Sequence, residues 1–135
     1  MLEAFAIVAE SDDALRNERS AALRAVGYSV RECATPDQLK LSLLLTAAFT
    51  SNCLLLVAPL DMAAPCGKAI SKVGKARLLS GSSRPLVVLM SNSDSLNQAV
   101  PDLDGCEMVL ILRNLPDHQQ FVRLAADHSL LVGRA

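Results

Sequence analysis

Five short apolar runs, Phe5–Ala9, Tyr28–Cys33, Cys53–Ala58, Leu86–Met90 and Met108–Leu112, recur along the chain at intervals too long for hairpins. This spacing restricts the possible folds more than any other feature. Parallel strands need crossovers of a dozen or more residues, and helices are the usual way to supply them. The intervening segments read as helices. Asp13–Val26 is charged on one side and runs into Gly27, the kind of residue that ends a helix in a left-handed turn. Pro36–Thr50 opens with Thr35-Pro36-Asp37, a capping hydroxyl followed by proline at the first helical position. Lys68–Ser80 exits through Gly81-Ser82-Ser83, Ser95–Val100 is stopped by Pro101, and Pro116–Ser129 follows Asn114 as a cap.

Leu54–Val57, Leu86–Met90 and Met108–Leu112 are apolar without alternation, as strands covered on both faces are. The second run mixes in Arg31 and Glu32, which suits a sheet edge. Five such strand–helix units predict an α/β domain, a doubly wound flavodoxin-like parallel sheet of order 2-1-3-4-5 with helices on both faces. We read residues 1–135 as one domain, with a place as the N-terminal domain of a longer protein left open.

The core must come from Leu, Val, Ile and Ala, because the chain holds three Phe, one Tyr and no Trp. A formal net charge of −1 gives no general attraction to nucleic acid or an anionic membrane, so direct nucleic-acid contact is not expected. Cys33, Cys53, Cys66 and Cys106 form no CxxC pair, and His118 and His128 are remote from them in sequence. The spacing of a metal site is therefore missing, and free thiols in a reducing compartment are expected. The opening MLEAFAIVAESDD lacks the basic stretch of a signal peptide, and the apolar runs are too short to span a bilayer. A soluble, cytoplasmic protein is expected.

Ile7-Val8-Ala9-Glu10-Ser11-Asp12-Asp13, followed by Arg16, Leu23 and Gly27-Tyr28-Ser29-Val30, resembles the opening of a response-regulator receiver domain. The likeness continues through Arg84-Pro85-Leu86-Val87-Val88-Leu89-Met90-Ser91 and through Gly105-Cys106 to Arg113-Asn114-Leu115, where receivers carry Lys-Pro-Phe. The resemblance implies a two-component signalling domain. A working receiver holds Mg²⁺ on an acidic pair and accepts phosphate on an aspartate at the end of the third strand. A hydroxyl and a lysine then report the new charge.

Much of that set is altered. Glu10 and Ser11 align with the acidic pair, and Asp12 is a substitute one step further along. The third strand runs into Ala58, which cannot accept phosphate. Met90 then ends the fourth strand, and Leu112 or Arg113 stands at the lysine position. In a second register, Asp61-Met62-Ala63-Ala64-Pro65 has the acceptor loop's Asp-to-Pro spacing, and Asp61 pairs with Ser91 and Arg113. That register puts Pro59 inside a central strand, where its missing N–H breaks a ladder bond, so Ala58 is preferred. Mg²⁺ enters only with the Asp61 alternative, and no other cofactor or metal is expected.

On Pro36–Thr50, Leu39, Leu43, Thr46, Ala47 and Thr50 are expected to face the sheet, leaving Leu41, Leu44, Leu45 and Ala48 outside. A helix apolar nearly all round predicts a cover, either a second copy of the chain or another domain. Lys68, Lys72, Lys75 and Arg77 read as a solvated helix face, with an acidic partner or a nucleotide phosphate as the alternative. Arg19 points toward the sheet and is expected to snorkel or to pair with a nearby carboxylate such as Glu18. His118 and His128 have no nucleophile in a recognisable motif. The expected function is a non-enzymatic, phosphorylation-independent receiver-like module that acts through protein contacts, as a homodimer or on an output domain such as a transcription regulator. By analogy with receivers, Val109, Ile111, Phe121, Val122 and Leu124 are dimer-face candidates. A divergent receiver using Asp61 and a small-ligand sensor at the strand ends near Glu10, Asp61 and Ser91 are the alternatives.

Overall fold

The computed structural model describes residues 4–46, 53–79, 84–91 and 106–112. Its order is β1 (Ala4–Ala9), α1 (Asp13–Ala25), β2 (Tyr28–Cys33), α2 (Pro36–Thr46), β3 (Cys53–Pro59), α3 (Leu60–Ala63), a 3₁₀ turn (Ala64–Cys66), α4 (Gly67–Leu79), β4 (Leu86–Ser91) and β5 (Glu107–Leu112). The strands form one five-stranded sheet in the order β2-β1-β3-β4-β5, and every pairing is parallel. The expected strand order is the observed one, and β2 is an edge as its charges indicated. The Ser95–Val100 and Pro116–Ser129 helices lie outside the described residues.

Alternation along the strands sorts the core into two layers. Ile7, Leu54, Leu56, Ala58, Val87 and Leu89 pack on one face with Leu39 and Leu43 of α2 and Ile70 and Val73 of α4. Ala6, Val8, Leu55, Val57, Leu86 and Val88 pack on the other with Ala22 and Leu23 of α1. The register makes this consistent, since Ile7 lies opposite Leu56 and Val8 opposite Val57. β3 is the middle strand, with β1 and β4 beside it, and residues 6–9 and 54–58 are almost wholly shielded from water.

Local chemistry sets the helix ends. Asp12 caps α1, its Oδ1 accepting from the Leu15 N–H at 3.1 Å. Gly27, at φ 104°, takes the left-handed turn out of α1 that a side chain disfavours. Thr35 caps α2 by accepting the Gln38 N–H at 3.2 Å, while the Gln38 side chain accepts the Ala34 N–H at 2.7 Å. This is a capping box shifted back by one donor. Two differences from the sequence reading lie between β3 and α4. β3 includes Pro59, and a short helix follows at once where a loop was expected. Proline supplies an extended residue (φ −63°, ψ 148°) just ahead of a helix, where its missing N–H costs no intrahelical bond. The strand therefore tolerates Pro59 opposite Met90, and the ladder-bond ground for preferring Ala58 to Asp61 does not hold.

Candidate functional site

In sheets of this order the crevice lies at the carboxyl ends of the strands. Glu10 stands there, one residue past β1, with its backbone N–H still bonded to the Cys33 carbonyl at 3.0 Å. By parity Glu10 follows Ala6 and Val8 onto the α1 side of the sheet. Its side chain is nearly buried and meets Arg19, whose Nη1 donates to Oε2 at 3.1 Å. Oε1 accepts the Asp12 N–H at 3.3 Å. Arg16, one turn before Arg19 on α1, donates to the Glu10 carbonyl oxygen at 2.8 Å and pairs with Asp13. Two guanidinium groups from one helix thus grip one residue, one at its backbone and one at its carboxylate.

Arg19 does point inward, as expected, but its partner is Glu10 and not Glu18. Sequence distance misled that choice. The pairing is readable from strand parity, because Glu10 and the inner face of α1 lie on the same side of β1. Asp12 was a substitute for the missing acid; instead its carboxylate caps α1 and it lies exposed. Ser11 is also exposed.

At the end of β3, Ala58 is fully buried and belongs to the α2–α4 layer, the face opposite Glu10. Carrying the register of Val8 opposite Val57 forward by two puts Glu10 level with Pro59. Asp61 is exposed in the first turn of α3, two residues beyond the strand. Met90 and Ser91 close β4, with Met90 beside Pro59 and Ser91 beside Leu112. Arg113 lies outside the described residues.

A hard divalent ion needs several carboxylate oxygens converging on one point. Here the Glu10 oxygens already accept from Arg19 and the Asp12 amide, and the Asp12 carboxylate holds a helix end. Among the described residues no three His, Cys, Asp or Glu side chains gather as a metal would require. Among the described residues, the acids nearest the end of β1 are already engaged, Glu10 in an internal ion pair and Asp12 at the start of α1.

The thiols lie elsewhere. Cys33 is buried with its Sγ 3.2 Å from the Ser42 hydroxyl, and Cys66 is buried with its Sγ donating to the Pro36 carbonyl at 3.6 Å. Burial raises both thiols above their ordinary range, the Ser42 contact opposing it at Cys33 and Lys40 opposing it at Cys66. They are poor nucleophiles in this state.

On α2, Leu39 and Leu43 are buried, while Leu41, Leu44 and Leu45 are 58%, 62% and 44% exposed. Ser42 also turns inward, which the apolar pattern did not indicate. Ala48 lies outside the described residues. Val109 and Ile111 are on β5, and Phe121, Val122 and Leu124 lie outside the described residues, as do His118 and His128. Among the described residues no helix is long and apolar enough to cross a membrane.

No protein-family model and no curated protein matches the sequence. Solved structures do. The response regulator receiver domain protein (CheY-like) from Methanospirillum hungatei JF-1 aligns with a TM-score of 0.63 at 17% identity, over 99% of this chain and 98% of that one. The response regulator receiver protein from Burkholderia phymatum gives 0.59 at 18%, over 94% and 95%. A response regulator protein from Burkholderia pseudomallei, solved with a phosphorylated aspartic acid, calcium ion and citrate, gives 0.57 at 16%, over 98% of this chain and 72% of that one. Strand order, two-layer packing and these alignments agree: the chain has the flavodoxin-like, CheY-like fold of response-regulator receivers.

Proposed function

We propose that this chain is a non-enzymatic signalling module on a receiver fold, which passes information through protein contacts and not through an aspartyl phosphate. The observation that carries the reading is the Glu10–Arg19 pair at 3.1 Å. A receiver mouth needs free carboxylates for a cation that neutralises the incoming phosphoryl group. In this chain a guanidinium of α1 already neutralises the acid. The last two residues of β3, Ala58 and Pro59, bring no carboxylate beside it.

The fold itself is compatible with aspartate phosphorylation, as the Burkholderia pseudomallei neighbour carries a phosphorylated aspartic acid. In this chain the residues at the mouth oppose it, because Glu10 is held by Arg19. One observation favours a second reading: Asp61 is exposed and therefore within reach of a phosphodonor. That reading makes the chain a divergent receiver with Mg²⁺ beside Asp61. The fold likeness supports a two-component role in either case. The exposed leucines of α2 support the contact mechanism, with a second copy or another domain as cover.

Incubation with acetyl phosphate and Mg²⁺ followed by intact mass analysis tests the proposal. The expected result is an unmodified chain. A phosphoryl adduct that disappears in Asp61→Asn overturns it in favour of the second reading.

A further inference from the structure

A cleft of about 510 Å³ opens between α2 and α4, and it owes nothing to the mouth of the sheet. Three exposed lysines line it: Lys40 from α2, and Lys68 and Lys72 from the first two turns of α4. Its apolar wall includes Leu44 and Pro65. No acid lines it. α4 shows water Lys68, Lys72 and Lys75 without one acidic residue, whereas Arg77, expected on the same solvated face, turns inward and is buried. Asp37 is the sole acid on α2, yet the whole chain is at −1. Positive charge is therefore gathered on this side of the molecule. A solvated face of α4 alone explains Lys68, Lys72 and Lys75, but not the convergence of Lys40 from a second helix on the same hollow.

Leu44 lines the cleft, and Leu41 and Leu45 follow on the adjoining ridge of α2, outside the lining. Lys40 and Leu44 are one turn apart and form one ridge of α2, and Leu41 and Leu45 form the next. All three leucines are largely exposed. A free phosphate or nucleotide phosphate has no use for such a strip, whereas an amphipathic helix uses both features. Its leucine-type face covers Leu41, Leu44 and Leu45 while its carboxylates reach the lysines. A second copy is a poor occupant, because a two-fold contact through this patch sets lysine against lysine.

We propose that the α2–α4 cleft docks an acidic amphipathic helix of a partner protein. This rests on the contact-based reading above and names the partner's chemistry.

The test is a display selection on the intact chain with helical peptides that share one leucine face and carry Glu, Gln or Lys on the other. The expected result is enrichment of the Glu set. The selected Glu peptides should lose at least about 10-fold in affinity on Lys40→Glu/Lys68→Glu/Lys72→Glu, and that variant should instead take the Lys set. Leu44→Glu should abolish binding of both sets. All four substitutions are at exposed positions, and circular dichroism melts identify any variant that fails to fold. In that case Lys68→Gln/Lys72→Gln gives the same readout with a smaller loss.

Equal recovery of Glu and Gln peptides overturns the proposal. So does binding of inorganic phosphate, or of phosphatidylglycerol vesicles, that matches the peptides and depends on the same lysines. Running the selection with and without acetyl phosphate separates the two claims. Phosphorylation of Asp61 sinks the reading of the mouth and leaves peptide binding to be judged alone. An unmodified chain that selects no acidic peptide sinks only the cleft.

Discussion

α1 and α2 lie on opposite faces of one sheet and finish their outer surfaces in different ways. α1 turns Ala22 and Leu23 inward and shows water Asp13, Asn17, Glu18 and Arg24, with no large apolar side chain outside. Its only inward charge, Arg19, is paired. α2 turns Leu39 and Leu43 inward and still shows water Leu41, Leu44 and Leu45. A few exposed leucines are ordinary, but three on adjoining ridges beside a cationic cleft are not scatter. On the proposed reading, the contrast separates an element completed by the fold from one that a partner completes. The buried ion pair lies on the α1 side and the exposed leucines lie on the α2 side.

The largest effect expected from breaking this contrast is at the ion pair. Arg19→Met leaves a buried carboxylate unpaired and should cost about 3 kcal/mol, lowering the melting temperature by roughly 10 °C in calorimetry. Glu10→Leu combined with Arg19→Met removes both charges and should recover most of that loss. If the single change proves harmless, Glu10 is not held as described, and the mouth is open to a cation.

The helix ends come next. Thr35→Ala removes the α2 cap and Gly27→Ala forces a side chain into a left-handed turn. Each should cost about 1 kcal/mol in urea unfolding.

A smaller effect follows pH. Burial raises the Cys33 and Cys66 thiols, so the unfolded thiols ionise first as pH climbs. Stability should hold from neutrality up to the ordinary thiol range, then fall as pH rises through the raised folded values. The fall should be shallower in Cys33→Ala. A slope unchanged by that substitution would remove Cys33 from the explanation.

The smallest effect on stability belongs to the outer face of α2. Leu41→Glu with Leu45→Glu should change unfolding free energy by no more than about 0.5 kcal/mol. Yet association with an acidic helical partner, followed by light scattering, should be lost. Unchanged association would sharpen the contrast in the opposite direction and remove these leucines from the interface.

The sheet was legible because its signals are local and repetitive. Unbroken apolar runs mark the central strands β3 and β4, and Arg31 and Glu32 mark the edge. The cap at Thr35 and the turn at Gly27 were also written in single residues. The mouth was harder to read. Family alignment drew attention to Ala58, but parity sends Ala58 into the α2–α4 layer and brings Pro59 level with Glu10. Arg19 was recognised as inward-facing, but its partner is nine residues away and joins it only through the crossover from β1 to α1. Composition could not show Lys40 meeting Lys68 and Lys72 either, because the cleft exists only once α2 and α4 lie side by side.

The central claim is that Arg19 does at this mouth what a divalent ion does in a phosphorylatable receiver. The most direct measurement is a melting curve of the whole chain with Mg²⁺ and beryllofluoride, a phosphoryl mimic, against buffer alone. The account predicts coincident curves. A rise in melting temperature that requires both additions and vanishes in Asp61→Asn would contradict it.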